Sequence, residues 1–155
     1  MELKRILVPS DLSDNAEAVM PFAGDLARKY QGEISLVHVF ERDYYATAAA
    51  AEGIVVGASE WLNGIRSQRE KHLNEVAARF SAQEKVTVRS VLLDGNTIEE
   101  ILRFVQDQSI DCMIVSTHGR TGLSHLLLGS IAEKLVRLSP CPVISIRPQS
   151  MVRKM

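Results

Sequence analysis

Short apolar runs and amphipathic stretches alternate along all 155 residues, and this alternation most constrains the fold. Residues 6–8 (Ile6, Leu7, Val8) form a first run closed by Pro9, the pattern of a short buried strand. Ser13 supplies an N-cap, after which Val19, Phe22, Ala23, Leu26, Ala27 and Tyr30 recur at helical spacing, with Gly32 as the stop. Residues 34–40 read as a second strand rich in β-branched side chains. The segment 41–58 carries conflicting signals. Its alanine run favours helix, Gly53 and Gly57 break one, and Ile54, Val55 and Val56 favour strand, so it reads as a mobile or lid-like connection.

The pattern then resumes. A helix over roughly 59–82 places Leu62, Ile65, Leu73, Val76 and Phe80 on one face. Residues 86–93 alternate in part, as a half-exposed edge strand does. Asp94, Gly95 and Asn96 make a turn, and Thr97 with Glu100 resembles a capping box ahead of the stripe Ile98, Ile101, Leu102 and Val105. A fourth strand covers 111–116. A helix over about 130–138 follows, with Ile131, Leu135, Val136 and Leu138 as its apolar residues. Pro140 and Pro142 end it, and residues 143–146 form a fifth strand. Strands separated by helices throughout pair in parallel, with right-handed crossovers and helices on both faces. The reading is an α/β fold, one three-layer sandwich around a five-stranded parallel sheet, as a single domain over 1–155.

In such sheets ligands bind beyond the C-terminal strand ends, where the strand order reverses. Two loops there carry chemistry. The first is Pro9, Ser10 and Asp11 with the Leu12-Ser13 that follows. The second is 116–130, STHGRTGLSHLLLGS, whose glycines (Gly119, Gly122, Gly129) let backbone N–H groups approach a ligand ahead of a helix start, the arrangement of a phosphate cradle. With the strands in the order 3-2-1-4-5, both loops line one crevice. Asp11 has two readings, a carboxylate for a metal ion bridging phosphates or an Asx-type cap at the turn.

Other chemistries are excluded by what the loops lack. No GxGxxG follows the first strand, and no GxxxxGK[ST] with its lysine occurs. His118 and His125 have no Cys or carboxylate cluster beside them for zinc, and Ser10, His118 and Asp11 lack a nucleophile elbow. His38, between Val37 and Val39, reads as a packed core or wall histidine. Cys112 and Cys141 read as reduced thiols used as small apolar residues. With 18 basic and 19 acidic residues there is no basic field for nucleic acid or a membrane surface. No apolar run reaches the ~18 residues of a membrane span and no signal-peptide core is present, so a cytoplasmic location is expected.

From KRILVPSDLS to CPVISIRP the chain resembles the universal stress protein A family. The family's ATP-binding signature is G-x2-G-x9-G-[ST], and the matching stretch here is Ser116-x2-Gly119-x9-Gly129-Ser130, within THGRTGLSHLLLGSIAEKLVRLSPCPV. The first-strand loop VPSDLS and the second-strand LVHVF match as well. The resemblance implies the order 3-2-1-4-5, ATP binding with Mg or Mn accompanying the nucleotide, and a homodimer. Carried residue by residue, Pro9, Ser10 and Asp11 would form one wall and Val39 would touch adenine. Val115 and Ser116 would pass the ribose and base. Gly119, Arg120, Gly129, Ser130 and Ile131 would surround the phosphates. Ser116 departs from the signature, adding a side chain where the family has glycine. The apolar fifth strand (Val143, Ile144, Ile146) sits at a sheet edge in that order, and pairing with its copy would give a closed two-fold dimer.

The implied function is a cytoplasmic, ATP-binding stress-response protein, a nucleotide-sensing regulator. No general base is positioned by the sequence, so any hydrolysis is slow. The alternatives are a dimeric interaction protein that no longer binds ATP, which Ser116 favours, or a weak nucleotide-phosphate hydrolase.

Overall fold

The apolar runs become the strands of one parallel sheet in the computed structural model, which describes residues 2–53, 57–117 and 129–147. The strands are β1 (Arg5–Pro9), β2 (Glu33–Phe40), β3 (Val88–Asp94), β4 (Cys112–Ser116) and β5 (Val143–Ile146). Their order is β3-β2-β1-β4-β5, the arrangement expected from the sequence. Every neighbouring pair is parallel, with Ile6 opposite Ile34 and Cys112, Ile34 opposite Val88, and Met113 opposite Val143. The helices are α1 (Asp14–Glu17), α2 (Met20–Tyr30), α3 (Arg42–Ala51), α4 (Ala58–Glu84), α5 (Thr97–Asp107) and α6 (Ser130–Leu138).

Strand side chains alternate between two cores because successive Cβ atoms point to opposite faces. On one face Ile6, Val8, Ile34, Leu36 and Ile114 pack against α2 (Met20, Ala23) and α4 (Leu73, Val76, Phe80). On the other, Leu7, Val37, Val39, Met113 and Val115 meet α5 (Ile101, Val105) and α6 (Leu135). Burying a side chain of this size contributes about 1.5–3 kcal/mol, which is why the central strands read as continuous apolar runs. The edge strand β3 keeps every side chain at least partly exposed, in line with its broken alternation.

Several local readings are corrected. The helix expected after Ser13 is two helices. Ser13 does cap α1, its side chain accepting from Ala16 N–H, but Pro21 lacks the N–H a continuous ladder needs and the chain restarts as α2. Phe22, placed on the buried face by its spacing, is 43% exposed, while Val19, Ala23 and Ala27 are buried. Gly32 is not the left-handed stop. Gln31 takes that conformation at φ 53°, and Gly32 donates to Ala27 O at 2.9 Å. Glycine is required at 32 for space, since a Cβ there would lie 2.6 Å from Lys4 O. The segment 41–58 is helical over 42–51. The alanine run prevails up to the positive φ of Gly53 (76°), and Gly57 (77°) caps α4; residues 54–56 lie outside the described residues. The expected capping box at Thr97 is replaced by Asn96, whose side chain accepts from Ile98 N–H and Glu99 N–H at 3.1 and 3.3 Å. In α6 the buried residues are Ala132 and Leu135, and the expected apolar residues Ile131, Val136 and Leu138 are exposed.

Candidate functional site

The strand order reverses between β1 and β4, and a cleft of about 410 Å³ opens at their C-terminal ends. That is the switch point at which doubly wound sheets hold ligands, and the volume lies within the range of small-molecule sites, roughly 300–1,000 Å³. Three strand ends and the first turns of α3, α5 and α6 build it.

The first wall is Pro9, Ser10 and Asp11. Ser10 N–H donates to Val37 O at 2.8 Å, which extends the β1–β2 ladder one residue beyond the strand. Ser10 is buried, and its Oγ accepts from Leu12 N–H at 3.0 Å. Asp11 Oδ1 accepts from Ser13 N–H at 3.1 Å, so the Asx-turn reading of Asp11 holds in this structure. The turn puts Leu12 at φ 61°, a conformation that costs a branched side chain of order 1 kcal/mol. Beneath this loop His38 is buried, its Nδ1 2.8 Å from Ser10 O. It is a wall histidine, as its place between two valines indicated, and it also lines the cleft.

Val39 and Val115 contribute apolar surface from β2 and β4. Ser116, the last residue of β4, pairs with Ile146 in the sheet register. Among the described non-glycine residues the positive φ angles belong to Leu12, Gln31, Lys85 and Ser109, so the serine in place of glycine imposes no backbone strain.

The third wall is Gly129, Ser130 and Ile131 at the start of α6. Gly129 is the N-cap and offers no capping side chain. The helical ladder begins with Glu133 N–H on Gly129 O at 2.8 Å. The N–H groups of Ser130, Ile131 and Ala132 precede that bond and have no intrahelical carbonyl, at the positive end of the helix dipole. Gly129 N–H itself donates to Thr117 O at 2.9 Å, so it braces the loop base rather than facing the cleft. A Cβ on Gly129 would sit 3.3 Å from that same carbonyl, a tight fit. Gly119 and Arg120, like His118, Gly122 and His125, lie outside the described residues.

Glu41, Tyr44, Tyr45, Thr97 and Ile101 also line the cleft, and the sequence reading passed over them. The signal was position, because residues directly after β2 and β3 stand at the same sheet end as the glycine loop. Glu41 Oε1 accepts from Thr97 N–H at 2.9 Å, joining the end of β2 to the start of α5. Tyr45 stacks on Phe40 with centroids 4.7 Å apart and planes 9° from parallel, and Tyr44 meets Tyr45 edge-on at 5.3 Å. The described lining residues include two carboxylates, Asp11 and Glu41, and no lysine or arginine. Among the described residues no group of three His, Cys, Asp or Glu side chains converges to hold a metal ion. Outside the cleft, burial pushes the Cys112 thiol up to about 11, which keeps it a neutral core residue.

The architecture is that of a doubly wound α/β domain with a crevice at its switch point and an uncapped helix start on one wall. The chain belongs to the universal stress protein family, whose family model matches residues 2–147. It is 30% identical over 146 residues to universal stress protein YxiE of Bacillus subtilis, covering 92% of this chain and 98% of that one. It is 27% identical over 153 residues to universal stress protein MJ0577 of Methanocaldococcus jannaschii, covering 93% and 94%. The solved structure of MJ0577 superposes with a TM-score of 0.78 at 23% identity, covering 95% of this chain and 97% of that one. The universal stress protein from Archaeoglobus fulgidus in complex with dAMP superposes with a TM-score of 0.62 at 20% identity, covering 94% and 99%. A family protein from Arabidopsis thaliana with AMP bound gives 0.60 at 15%, covering 93% and 91%. No helix among the described residues is long and apolar enough to cross a membrane.

Proposed function

We propose that this protein binds an adenine nucleotide, ATP in its working state, in the cleft between β1 and β4, and acts in the cytoplasm as a nucleotide-sensing stress-response regulator with slow hydrolysis or none. The observation that carries the reading is the meeting of two unlike surfaces in one cleft. Apolar walls from Val39 and Val115 suit a base, and the orphan N–H groups of Ser130, Ile131 and Ala132 suit a phosphate. Relatives of the same fold that hold AMP and dAMP support it. Pro9, Ser10 and Asp11 form the wall beside the base and ribose, Ser116 lies by the ribose, and Gly129 leaves the phosphate end open. Gly119 and Arg120 belong to the same phosphate site in this reading. Asp11 would offer its carboxylate to a Mg or Mn ion accompanying the phosphates, since magnesium suits one carboxylate plus phosphate oxygens.

The whole chain, 1–155, acts as one nucleotide-binding unit in this proposal and pairs with a second copy through Val143, Ile144 and Ile146. Among the described residues β5 has β4 on one side and no strand on the other, and an open edge of that kind invites pairing.

Calorimetric titration with ATP and Mg²⁺ tests the binding. The parent protein should bind with a 1:1 stoichiometry per chain, and Gly129→Val should weaken binding by about tenfold or more, because a branched side chain enters where 3.3 Å is already tight. No heat from the parent protein leaves the dimeric interaction protein as the better reading.

A further inference from the structure

Tyr44 is a large aromatic ring left 65% exposed while lining the cleft. A single exposed ring needs no explanation, but this one is held in place. Tyr45 beside it is stacked on Phe40, which is fully buried, and Tyr44 packs against Tyr45 at 84°. Ala49 pins α3 further along by its own burial. At the head of α3, Glu41 is bonded to Thr97 N–H of α5. A short helix thus carries a pre-set tyrosine to the cleft rim, where binding would order little that is not already ordered.

The strand order adds the distance. β2 leads into α3, β4 leads towards α6, and β1 lies between them. Two inter-strand spacings, roughly 10 Å, separate the end of β2, which leads into α3, from the end of β4. A nucleotide with its phosphate on α6 is long enough to reach back towards α3 with its base.

Resting on the adenine-nucleotide reading above, we infer that Tyr44 is a specificity-determining residue, its ring stacking on the base of the bound nucleotide while Tyr45 and Phe40 hold it in position. The base covers an apolar ring face that water covers in its absence, and a purine offers more stacking surface than a pyrimidine. The phenol oxygen is not needed for this role.

The test is calorimetric titration of wild type, Tyr44→Ala and Tyr44→Phe with AMP and with ribose 5-phosphate, which keeps the sugar and phosphate and lacks the base. Tyr44→Ala should weaken AMP binding by roughly 5- to 100-fold and leave ribose 5-phosphate within about twofold. Tyr44→Phe should retain wild-type AMP affinity. The ring is mostly exposed, so thermal unfolding of each variant should match the parent. AMP binding by Tyr44→Ala equal to wild type overturns the inference, as does an equal loss of both ligands. Failure of the wild type to bind AMP overturns the nucleotide reading and this inference together.

Discussion

The two ends of the sheet are built from the same five parallel strands and behave oppositely. At the N-terminal end the chain is sealed. Asp111 Oδ2 accepts from both Lys4 N–H and Arg5 N–H at 2.9 and 2.8 Å, Glu33 N–H donates to Lys4 O at 2.7 Å, and Gly32 lies against the Lys4 carbonyl with no room for a side chain. At the C-terminal end the cleft opens, and the helix starts differ among themselves. Among the helices that line the cleft, Ser13 caps α1 and Asn96 caps α5 with side-chain oxygens, whereas α3 on Glu41 and α6 on Gly129 start without one, and of those two only α6 has an uncharged cap residue. Helices in a parallel sheet start at one end and stop at the other, so donors gather at the C-terminal strand ends. A capped start consumes those donors locally. An uncapped one leaves them for a ligand, and closure at the opposite end keeps the scaffold rigid around it.

The sharpest way to break this contrast is to cap α6. Gly129 has φ −56° and ψ 145°, which an aspartate can adopt. Gly129→Asp should weaken ATP binding by roughly 100-fold or more, since a carboxylate takes the donors and repels phosphate, while its Cβ shifts the Thr117 carbonyl by only a few tenths of an ångström. Undiminished ATP affinity in that variant would show that the α6 start is not the phosphate site.

The closed end should respond in reverse. Asp111→Ala removes the acceptor shared by Lys4 and Arg5 N–H groups. It should cost about 2 kcal/mol in urea unfolding, typical of hydrogen bonds to a charged group, with nucleotide affinity unchanged. Equal loss of stability and affinity would contradict the separation of roles.

The smallest effect concerns the rim of the open end, where Arg66 of α4 holds Asp94 of β3 through Nε–H and a terminal N–H at 2.9 and 2.7 Å. The Arg66 hydrogen bond is the first cause that keeps the Asp94 carboxyl below its ordinary range. A carboxylate depressed in the folded state contributes stability above its unfolded pKa and loses it as pH falls through the folded value. Both partners are partly solvated, so Asp94→Asn should cost less than about 1 kcal/mol at pH 7. The difference between variant and parent should shrink below about pH 4. A difference that persists in acid would assign the effect to packing instead.

The five strands, their parallel pairing and both helical layers were legible because the apolar periods change from two-fold to helical at each boundary, while the order 3-2-1-4-5 came with the family resemblance. Residues 9–11 and the loop 116–130 were legible as chemistry at strand ends, while Val115 and Ile131 joined them through the family resemblance. What escaped reading was whatever depends on how the elements pack rather than on their period. Tyr44 and Tyr45 became wall residues because Phe40 offers a ring to stack on and α3 folds back over β2's end. Gly32 looked like a helix stop, and its real constraint is the Lys4 carbonyl, 28 positions earlier. Phe22 had helical spacing but is 43% exposed, because the buried stripe of α2 runs through Met20, Ala23 and Ala27 beside it.

Local period, caps and glycine positions are properties of neighbouring residues, so the amino-acid order alone dictates the elements, their parallel pairing and the existence of a donor-rich loop. Which donors stay open is a different matter. The sequence places glycine at 129 but cannot say that its N–H turns to Thr117 while the next three face no intrahelical partner. Nor can it say that Ser116 sits in the sheet without a positive φ. Those outcomes rest on distances across the sheet, which packing of the two cores sets and no local pattern encodes.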